Sequence, residues 1–339
     1  MIKCSAPGKI MISGEWSVLE GHSCIVAAVN KRSECTIEES DKLLLTIPEF
    51  NIEKQEINLD QSKSATRFIV ASLNTCKEYL NELKPMHITT ESNSTKINNK
   101  KIGLGSSAAI TVATIAAILK YHDEEINKDL IFKLASISHY KAQGKLGSCF
   151  DIAASTYGNV ISYTPFNSEW LLEQVNSKTI KEIVQLGWPN LNITPLNNID
   201  LDLKIGWTGD SASTSEMIKQ MNEWPDKEEH KRIIQNISDI TQDLIKEWQA
   251  NNTDKILTLI KANEELLREL TKQSKVNIET PELKLLSDLA NKHGAGKLSG
   301  AGGGDCGIAL TKENQDLEKD WISKGITPLT AKIDPNGVL

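Results

Sequence analysis

The chain has 339 residues, of which 39% are hydrophobic and 24% are charged, and its formal net charge is -7 at pH 7. This length exceeds the size at which one hydrophobic core usually stops growing, so two domains are predicted. The negative charge argues against binding to nucleic acid or an acidic membrane surface, and no apolar stretch is long enough to span a bilayer. These properties predict a cytoplasmic protein, monomeric or homodimeric, with no nucleic-acid or membrane partner.

The six cysteines follow no metal-binding or redox pattern. No CxxC motif occurs, and no group of cysteines and histidines has the spacing of a zinc site. We therefore expect reduced thiols that are mostly buried, as in a protein of the cytosol.

The first half of the chain begins with short apolar runs and then becomes helical. Strands are predicted at residues 10–12, 24–29 and 43–45, around Ile57, and at 159–164. Helices are predicted at residues 64–83, 106–120 and 127–141, with a short one near Ser148. The helix at 106–120 is apolar on almost every side, which is typical of a helix buried inside a domain.

The second half is richer in amphipathic helices. Between about Phe166 and Ile199 the composition is mixed and prolines appear, so we predict domains at 1–188 and 189–339. Apolar residues recur at helical spacing over 233–248 and again over 256–270, and Thr280-Pro281 is a favourable helix start. Strands are predicted at 297–298 and 307–310, on either side of a glycine-rich loop.

The segment Gly103-Leu104-Gly105-Ser106-Ser107 immediately precedes the most apolar helix. Glycines let the backbone approach a ligand closely, and the first N–H groups of a helix have no partner inside it. The helix dipole adds partial positive charge there, so the segment predicts a phosphate-binding loop. The alternative is a structural loop in which Ser106 caps the helix. The segment lacks the lysine of a P-loop and the third glycine of a dinucleotide-binding fold.

Two further glycine-rich segments are present. Ser5 to Glu15 contains Pro-Gly-Lys at the start of a predicted strand, where Lys9 is either a phosphate-binding cation or an ordinary surface lysine. Residues 299–307 contain five glycines between two predicted strands, which favours close approach of the backbone to a ligand over a flexible linker.

Together, PGKIMISGE near the start, GLGSSAA near residue 105 and SGAGGGDCG near residue 303 resemble the GHMP kinase superfamily. The resemblance spans residues 5 to 307. It implies an α+β fold of two domains, the first like ribosomal protein S5 and the second ferredoxin-like. The active site would lie in the cleft between them.

Three details are most similar to the bacterial phosphomevalonate kinases within that superfamily. Residues 144–155 resemble the GSGFDIAAS stretch of those enzymes, and residues 207–215 resemble their WTGxxASTS segment. Gly304-Asp305-Cys306-Gly307 matches their glycine loop, in which mevalonate kinases usually lack the aspartate.

The resemblance implies magnesium-dependent transfer of a phosphoryl group from ATP to the phosphate of 5-phosphomevalonate, giving 5-diphosphomevalonate and ADP. The alternatives are a mevalonate kinase or another GHMP kinase, and a catalytically silent sensor of ATP and a metabolite. A decarboxylase of the diphosphate product shares the fold, but its relatives lack this form of the Pro-Gly-Lys motif.

The resemblance also implies roles for individual residues. The expected catalytic residues are Lys9, Asp151 and Lys101, with Lys100 as the rival of Lys101. The expected ATP-binding residues are Gly103, Leu104, Gly105, Ser106, Ser107 and Ala108, with Ser107 as the magnesium ligand. The expected substrate-binding residues are Lys9, Ser148, Asp151, Ser213, Ser299, Ala301 and Gly302.

Two positions qualify these assignments. Ser213 and Glu216 fit a capping box, which is a purely structural role at a helix start. Mevalonate kinases carry a magnesium-binding glutamate about eleven residues before the aspartate, where this chain has Tyr140. We therefore expect magnesium to be held by Ser107, the ATP phosphates and water.

Overall fold

The structure is a computed structural model that describes residues 1–92, 96–97, 100–144, 147–209, 213–312 and 316–339. The strands are β1 Ile2–Ser13, β2 Cys24–Glu39, β3 Leu44–Ile47, β4 Ile52–Glu56, β5 Met86–Glu91, β6 Lys96–Ile97, β7 Lys100–Lys101, β8 Val160–Thr164, β9 Asn192–Pro195, β10 Asp202–Trp207, β11 Gly294–Leu298, β12 Cys306–Thr311 and β13 Thr327–Leu329. The helices are α1 Arg67–Leu80, α2 Ser106–Tyr121, α3 Lys128–Gln143, α4 Phe150–Tyr157, α5 Ser168–Ser177, α6 Ile180–Gln185, α7 Thr214–Glu223, α8 Lys227–Gln249, α9 Thr253–Ser274, α10 Pro281–Ala290 and α11 Asp316–Ser323.

The strands form two main sheets. The first has the order β4-β3-β5-β2-β8-β9, with β1 also paired to β2, and its only parallel pair among the described strands is β3 with β5. The second has the order β11-β12-β10-β13 and is antiparallel throughout its described pairs. Strands β6 and β7 form a separate short hairpin.

Most of β1 and residues 24–29 of β2 are buried on both faces, and this joins the two halves of the molecule. Met11 belongs to the core under helix α2, whereas Ile10 and Ile12 belong to a second core with Ile205 and Ile308 of the other sheet. Side chains alternate between the faces of a strand, so successive residues of β1 serve different cores. Because both faces of β1 are buried here, residues 10–12 form an unbroken apolar run in the sequence.

Helix α2 is the buried helix that the sequence predicts. Eleven of its sixteen residues are buried, and it packs against β1 and β2 on one side and against α1, α3 and α4 on the others. Because β1 and α2 are in contact, their ends bring the first two glycine-rich segments together.

Most predicted elements of the first half are present with shifted ends. The helix predicted at 64–83 spans Arg67–Leu80, and the strand predicted at 10–12 spans Ile2–Ser13. The predicted helices and strands of the second half are also present, as α8 to α10 and as β11 and β12. All six cysteines are buried and form no disulfide.

The domain boundary at residue 188 stays a prediction. Strand β9 lies just beyond it and pairs with β8 of the first sheet. The last residues also return to that sheet, where Ser5 and Leu339 exchange backbone hydrogen bonds of 3.0 and 2.9 Å. Within the described ranges, no helix has the length and apolar character needed to cross a membrane.

Candidate active site

All three glycine-rich segments line one cavity of about 580 Å³. Its walls come from β1 and the turn after it, the loop before α2, the starts of α4 and α7, and the loop between β11 and β12. Residues far apart in the sequence therefore meet around a single space large enough for small ligands.

The loop before α2 leaves the start of that helix open. Gly105 holds the N-cap position with φ of 74°, and no side chain accepts a hydrogen bond from the first turn. Ser106 is the first residue of the helix, so the alternative in which Ser106 caps the helix is wrong. The unpaired N–H groups and the helix dipole create a site for an anion at the cavity wall.

Lys9 is fixed against this loop by its backbone and its side chain. The Lys9 N–H donates to Leu104 O over 2.8 Å, and its Nζ donates to Gly103 O over 3.2 Å. A Cβ at Gly105 would lie 2.8 Å from Lys9 Cγ, so the glycine permits this close approach. The Lys9 ammonium lies 5.6 Å from the centroid of the Phe150 ring. A cation therefore stands beside the open helix start.

The third glycine-rich segment packs against the same loop from the other sheet. A Cβ at Gly103 would lie 2.7 Å from Cγ of Asp305, and the Cys306 thiol donates to Ile102 O over 3.0 Å. Ser299 Oγ donates to Met11 O over 2.8 Å and accepts from Met11 N–H over 3.1 Å. The Ser299 hydroxyl thus joins β1 to the second sheet, a role that its sequence context does not indicate.

The start of α4 supplies a carboxylate to the cavity. Asp151 lies in the first turn, and its side chain is 18% exposed. Asp151 Oδ1 accepts the N–H of Ile152 over 3.0 Å, and Oδ2 lies 3.9 Å from Nε2 of His139. Burial lowers the pKa of His139, while Asp151 raises it and Arg67 lowers it further. The carboxylate therefore faces the cavity with a buried imidazole behind it.

Three residues of the cavity wall carry buried polar atoms without a hydrogen-bond partner among the described residues. These atoms are Ser148 Oγ, Glu15 Oε2 and Trp16 Nε1. Buried polar atoms are normally paired, so each is a candidate for contact with a bound ligand. Trp16 also has φ of 66°, which is unusual for a residue other than glycine and occurs often at functional sites.

Glu15 is held by a buried charge network. Its Oε1 accepts a hydrogen bond from Nζ of Lys297, and both side chains are fully buried. Lys297 also donates to Leu298 O over 2.6 Å, and the Leu298 N–H donates to Glu264 Oε2 over 3.0 Å. Burial raises the pKa of Glu264 to about 7, although Lys297 opposes the shift.

Two family models match the chain, GHMP kinases N terminal domain at residues 67–159 and GHMP kinases C terminal at residues 244–321. The chain belongs to the GHMP kinase family. The α+β fold predicted from the resemblance is thereby confirmed, and its cavity contains the sequence motifs on which the resemblance rests.

Individual known proteins match over nearly the whole chain. A solved protein from Listeria innocua, Lin0012, is 32% identical, with a TM-score of 0.92 over 100% of this chain and 98% of its own. A phosphomevalonate kinase of Streptomyces sp. strain CL190 is 28% identical over 96% of this chain and 95% of its own. The Streptococcus pneumoniae phosphomevalonate kinase, solved with phosphomevalonate and AMPPNP, is 24% identical with a TM-score of 0.89, covering 98% and 100%. Archaeal mevalonate kinases are 26–28% identical.

The structure brings most of the predicted site residues of this GHMP kinase to the cavity. The cavity is lined by Lys9, Gly103, Leu104, Gly105, Ser106, Ser107, Ser148, Asp151, Ser299, Ala301 and Gly302. Ala108 is buried in the first turn of α2 and does not line the cavity. The side chain of Lys101 lies outside the described part of the chain, and Nζ of its rival Lys100 donates to Gly209 O over 2.9 Å.

Ser213 lies at the N-cap of α7 but forms no capping hydrogen bond, so the predicted capping box is wrong. Its hydroxyl lies 3.3 Å from that of Ser215, and the cavity is lined there by Thr214 and Ser215. The predicted contact of Ser213 with substrate stays a prediction.

Sequence reasoning misses several other lining residues. Arg67, Glu15 and Trp16 line the cavity, and Arg67 is an exposed cation. Glu15 ends the glycine-rich segment that contains Pro-Gly-Lys, so its place in that segment is a signal that could have identified it. Arg67 opens a helix without any motif, and nothing local to its sequence distinguishes it from a surface arginine.

Proposed function

We propose that the chain transfers the γ-phosphoryl group of ATP to the phosphate of 5-phosphomevalonate, giving ADP and 5-diphosphomevalonate. The observation that carries the proposal is the meeting of Lys9 with the open start of α2 in one cavity. The acceptor is inferred from the similarity to a phosphomevalonate kinase over 96% of the chain and from the sequence details at 144–155, 207–215 and 304–307.

The phosphates of ATP would be held by the loop at residues 103–107. The N–H groups in the first turn of α2 are available as donors, and Gly103 and Gly105 keep side chains away from the bound nucleotide. Lys101 lies two residues before Gly103 and is proposed to contact the γ-phosphate. Removing water from such a loop strengthens each charge interaction with the transferred group.

Lys9 is proposed as the principal catalytic cation. In the reaction an acceptor phosphate oxygen forms a bond to the γ-phosphorus, and the bond from that phosphorus to the β,γ-bridging oxygen breaks. The acceptor oxygen is largely anionic near neutral pH, because the second pKa of a phosphate monoester is about 6. Catalysis therefore depends mainly on positioning and charge neutralisation, which Lys9 supplies beside the loop.

Asp151 and Ser148 are proposed to position the acceptor. Within the described structure Asp151 forms no ion pair with Lys9, whose ammonium donates one hydrogen bond to Gly103 O. Its carboxylate is free to accept a hydrogen bond from an acceptor hydroxyl or to approach Lys9 when ligands are bound. The unpartnered Ser148 hydroxyl lies in the same wall, and Tyr163 fixes the Ser148 carbonyl through a hydrogen bond of 2.6 Å.

The residues at the cavity fit a magnesium ion bound mainly through ligands outside the protein. Ser107 Oγ and the Asp151 carboxylate are oxygen donors of the kind that magnesium prefers. Among the described residues, no cluster of three His, Cys, Asp or Glu side chains could hold a metal. Ser107 is therefore proposed as the protein ligand, and the bound ion would neutralise charge on the ATP phosphates.

The decisive experiment is a coupled ADP-release assay with ATP and Mg²⁺, run in parallel on mevalonate, 5-phosphomevalonate and no acceptor. We expect turnover with 5-phosphomevalonate only. Turnover of mevalonate alone would contradict the proposed acceptor and favour a mevalonate kinase. ATP binding without turnover of any acceptor would favour the sensor alternative.

A further inference from the structure

His139 makes contacts that the proposed mechanism does not use. It lies on α3, its side chain is only 3% exposed, and it does not line the cavity. Its Nε2 lies 3.5 Å from Ser107 Oγ and 3.9 Å from Asp151 Oδ2. Both neighbours line the cavity from different helices, so one buried imidazole stands behind two proposed functional groups.

The orientation of this imidazole is fixed by packing. The ring stacks on Phe68 of α1 with centroids 5.0 Å apart and an angle of 22° between the planes. Helices α1, α2, α3 and α4 therefore all contribute to one side-chain cluster. A ring held in this way presents Nε2 at a constant position toward both Ser107 and Asp151.

One ring nitrogen can donate one hydrogen bond at a time. In the tautomer that carries its hydrogen on Nε2, that hydrogen is available for the Asp151 carboxylate when Ser107 Oγ turns toward a ligand in the cavity. Catalytic hydrogen bonds are often long before ligands bind and shorten in the complex, which suits separations of 3.5 and 3.9 Å.

We propose that His139 is a positioning residue that holds the Ser107 hydroxyl and the Asp151 carboxylate in a fixed relation across the cavity. The inference rests on the proposed function for the roles of those two residues. It adds a residue from outside the three glycine-rich segments, at a place where the sequence has no motif. Groups that orient a ligand-binding side chain typically change affinity or activity about 10- to 100-fold when removed.

The test compares two substitutions at one position. His139→Phe keeps a ring that can stack on Phe68 but removes Nε2, whereas His139→Gln keeps an N–H donor on a side chain of similar reach. We expect His139→Phe to lower kcat about 10- to 100-fold with little change in the KM for the acceptor. We expect His139→Gln to keep most of the kcat of the unchanged protein. The control is His293→Phe, which removes a histidine 2.8 Å from Asp320 and away from the cavity lining.

Double-mutant cycles separate positioning from a general loss of packing. His139→Phe is combined with Ser107→Ala and, separately, with Asp151→Asn, and we expect the losses in kcat to be less than additive. Additive losses, a kcat within twofold of the unchanged protein, or equal losses for His139→Phe and His139→Gln would each overturn the proposal.

Failure of the proposed function remains distinguishable from failure of this inference. If the unchanged protein turns over mevalonate instead, the same cycles are measured with mevalonate and the role of His139 is still decided. If no acceptor is turned over, the role of His139 is tested by calorimetric binding of a non-hydrolysable ATP analogue with Mg²⁺. Weaker binding by His139→Phe, restored by His139→Gln, supports the proposal, and unchanged binding overturns it.

Discussion

Two groups of residues in the cavity lining differ in what they offer a ligand, and we name them the backbone wall and the side-chain wall. The backbone wall consists of residues 103–107 with Lys9, and it offers helix N–H groups, two glycines without side chains and one ammonium. The side-chain wall consists of Glu15, Trp16 and Ser148, and it carries buried polar atoms without described partners. A backbone wall suits phosphates, which are alike in every nucleotide. A side-chain wall suits the discrimination of one acceptor from another.

The largest effect is expected at Lys9, where the backbone wall has its cation. Lys9→Ala should lower kcat about 10²- to 10³-fold, because charge on the transferred group loses its nearest neutralising partner. The measurement is steady-state ADP release at saturating ATP and acceptor. Lys3→Ala is the matched control, since Lys3 lies on the same strand in an exposed ion pair with Glu34. Equal activity of the two variants would remove Lys9 from the mechanism.

Gly105→Ala tests whether the backbone wall needs its close approach. The added Cβ would lie 2.8 Å from Lys9 Cγ on a residue with φ of 74°. We expect kcat/KM for ATP to fall about 100-fold, because small displacements of positioned groups are costly. Stability should also fall by about 1 kcal/mol from the left-handed backbone.

Gly325→Ala separates these two causes. Gly325 has φ of 82°, and among the described residues no atom lies within 4 Å of the added Cβ. The Gly325→Ala variant should lose about as much free energy of unfolding as Gly105→Ala, while its kcat and KM stay unchanged. If both variants lost activity equally, backbone strain rather than displacement of Lys9 would explain the result.

The backbone wall is the part of the site that could be predicted from the sequence. Its glycines, serines and helix are contiguous, and Lys9 follows Pro7-Gly8 inside β1, so local patterns identify them. Only the alternative in which Ser106 caps the helix is wrong, since Gly105 holds that position. The apolar pattern of α2 likewise predicts its burial, because a helix that is apolar all round has no face for water.

The side-chain wall depends on contacts between distant residues, which leave no local pattern. Lys297 reads as part of a strand, and only the fold shows that it is fully buried against Glu15. Ser299 was expected to bind substrate, but its hydroxyl is engaged by the backbone of Met11. A substrate role for Ser299 remains a prediction.

Trp16→Phe tests the side-chain wall at the unpartnered indole. The substitution keeps an aromatic ring and removes only Nε1, so lost affinity would report a hydrogen bond to the acceptor. We expect the KM for the acceptor to rise about 10-fold with kcat and the KM for ATP nearly unchanged. The control is Trp224→Phe, a buried tryptophan of the same apolar cluster that does not line the cavity. A rise in the KM for ATP instead would place Trp16 at the other wall.

The smallest effect on activity is expected at the buried charges behind the side-chain wall, where the effect is on stability. The pKa of Glu264 is about 7 in the folded protein against an ordinary value of 4.5, so between these values the folded chain binds more protons than the unfolded chain. Stability contributed by this group therefore falls as pH rises from about 5 to 7, by at most about 1.4 kcal/mol per pH unit.

Glu264→Gln should abolish that dependence, because the amide stays neutral and can still accept the Leu298 N–H. Denaturant unfolding should give similar stability for the two proteins at pH 5 and greater stability for the variant at pH 8. The control is Glu265→Gln, which alters an exposed carboxylate paired with Arg268 on the same helix. A constant difference between Glu264→Gln and the unchanged protein across this range would mean that Glu264 is ionised in the folded state throughout. In that case Glu15, Lys297 and Glu264 would all be charged behind the side-chain wall. The alternative is an ion pair of Glu15 and Lys297 next to a protonated Glu264.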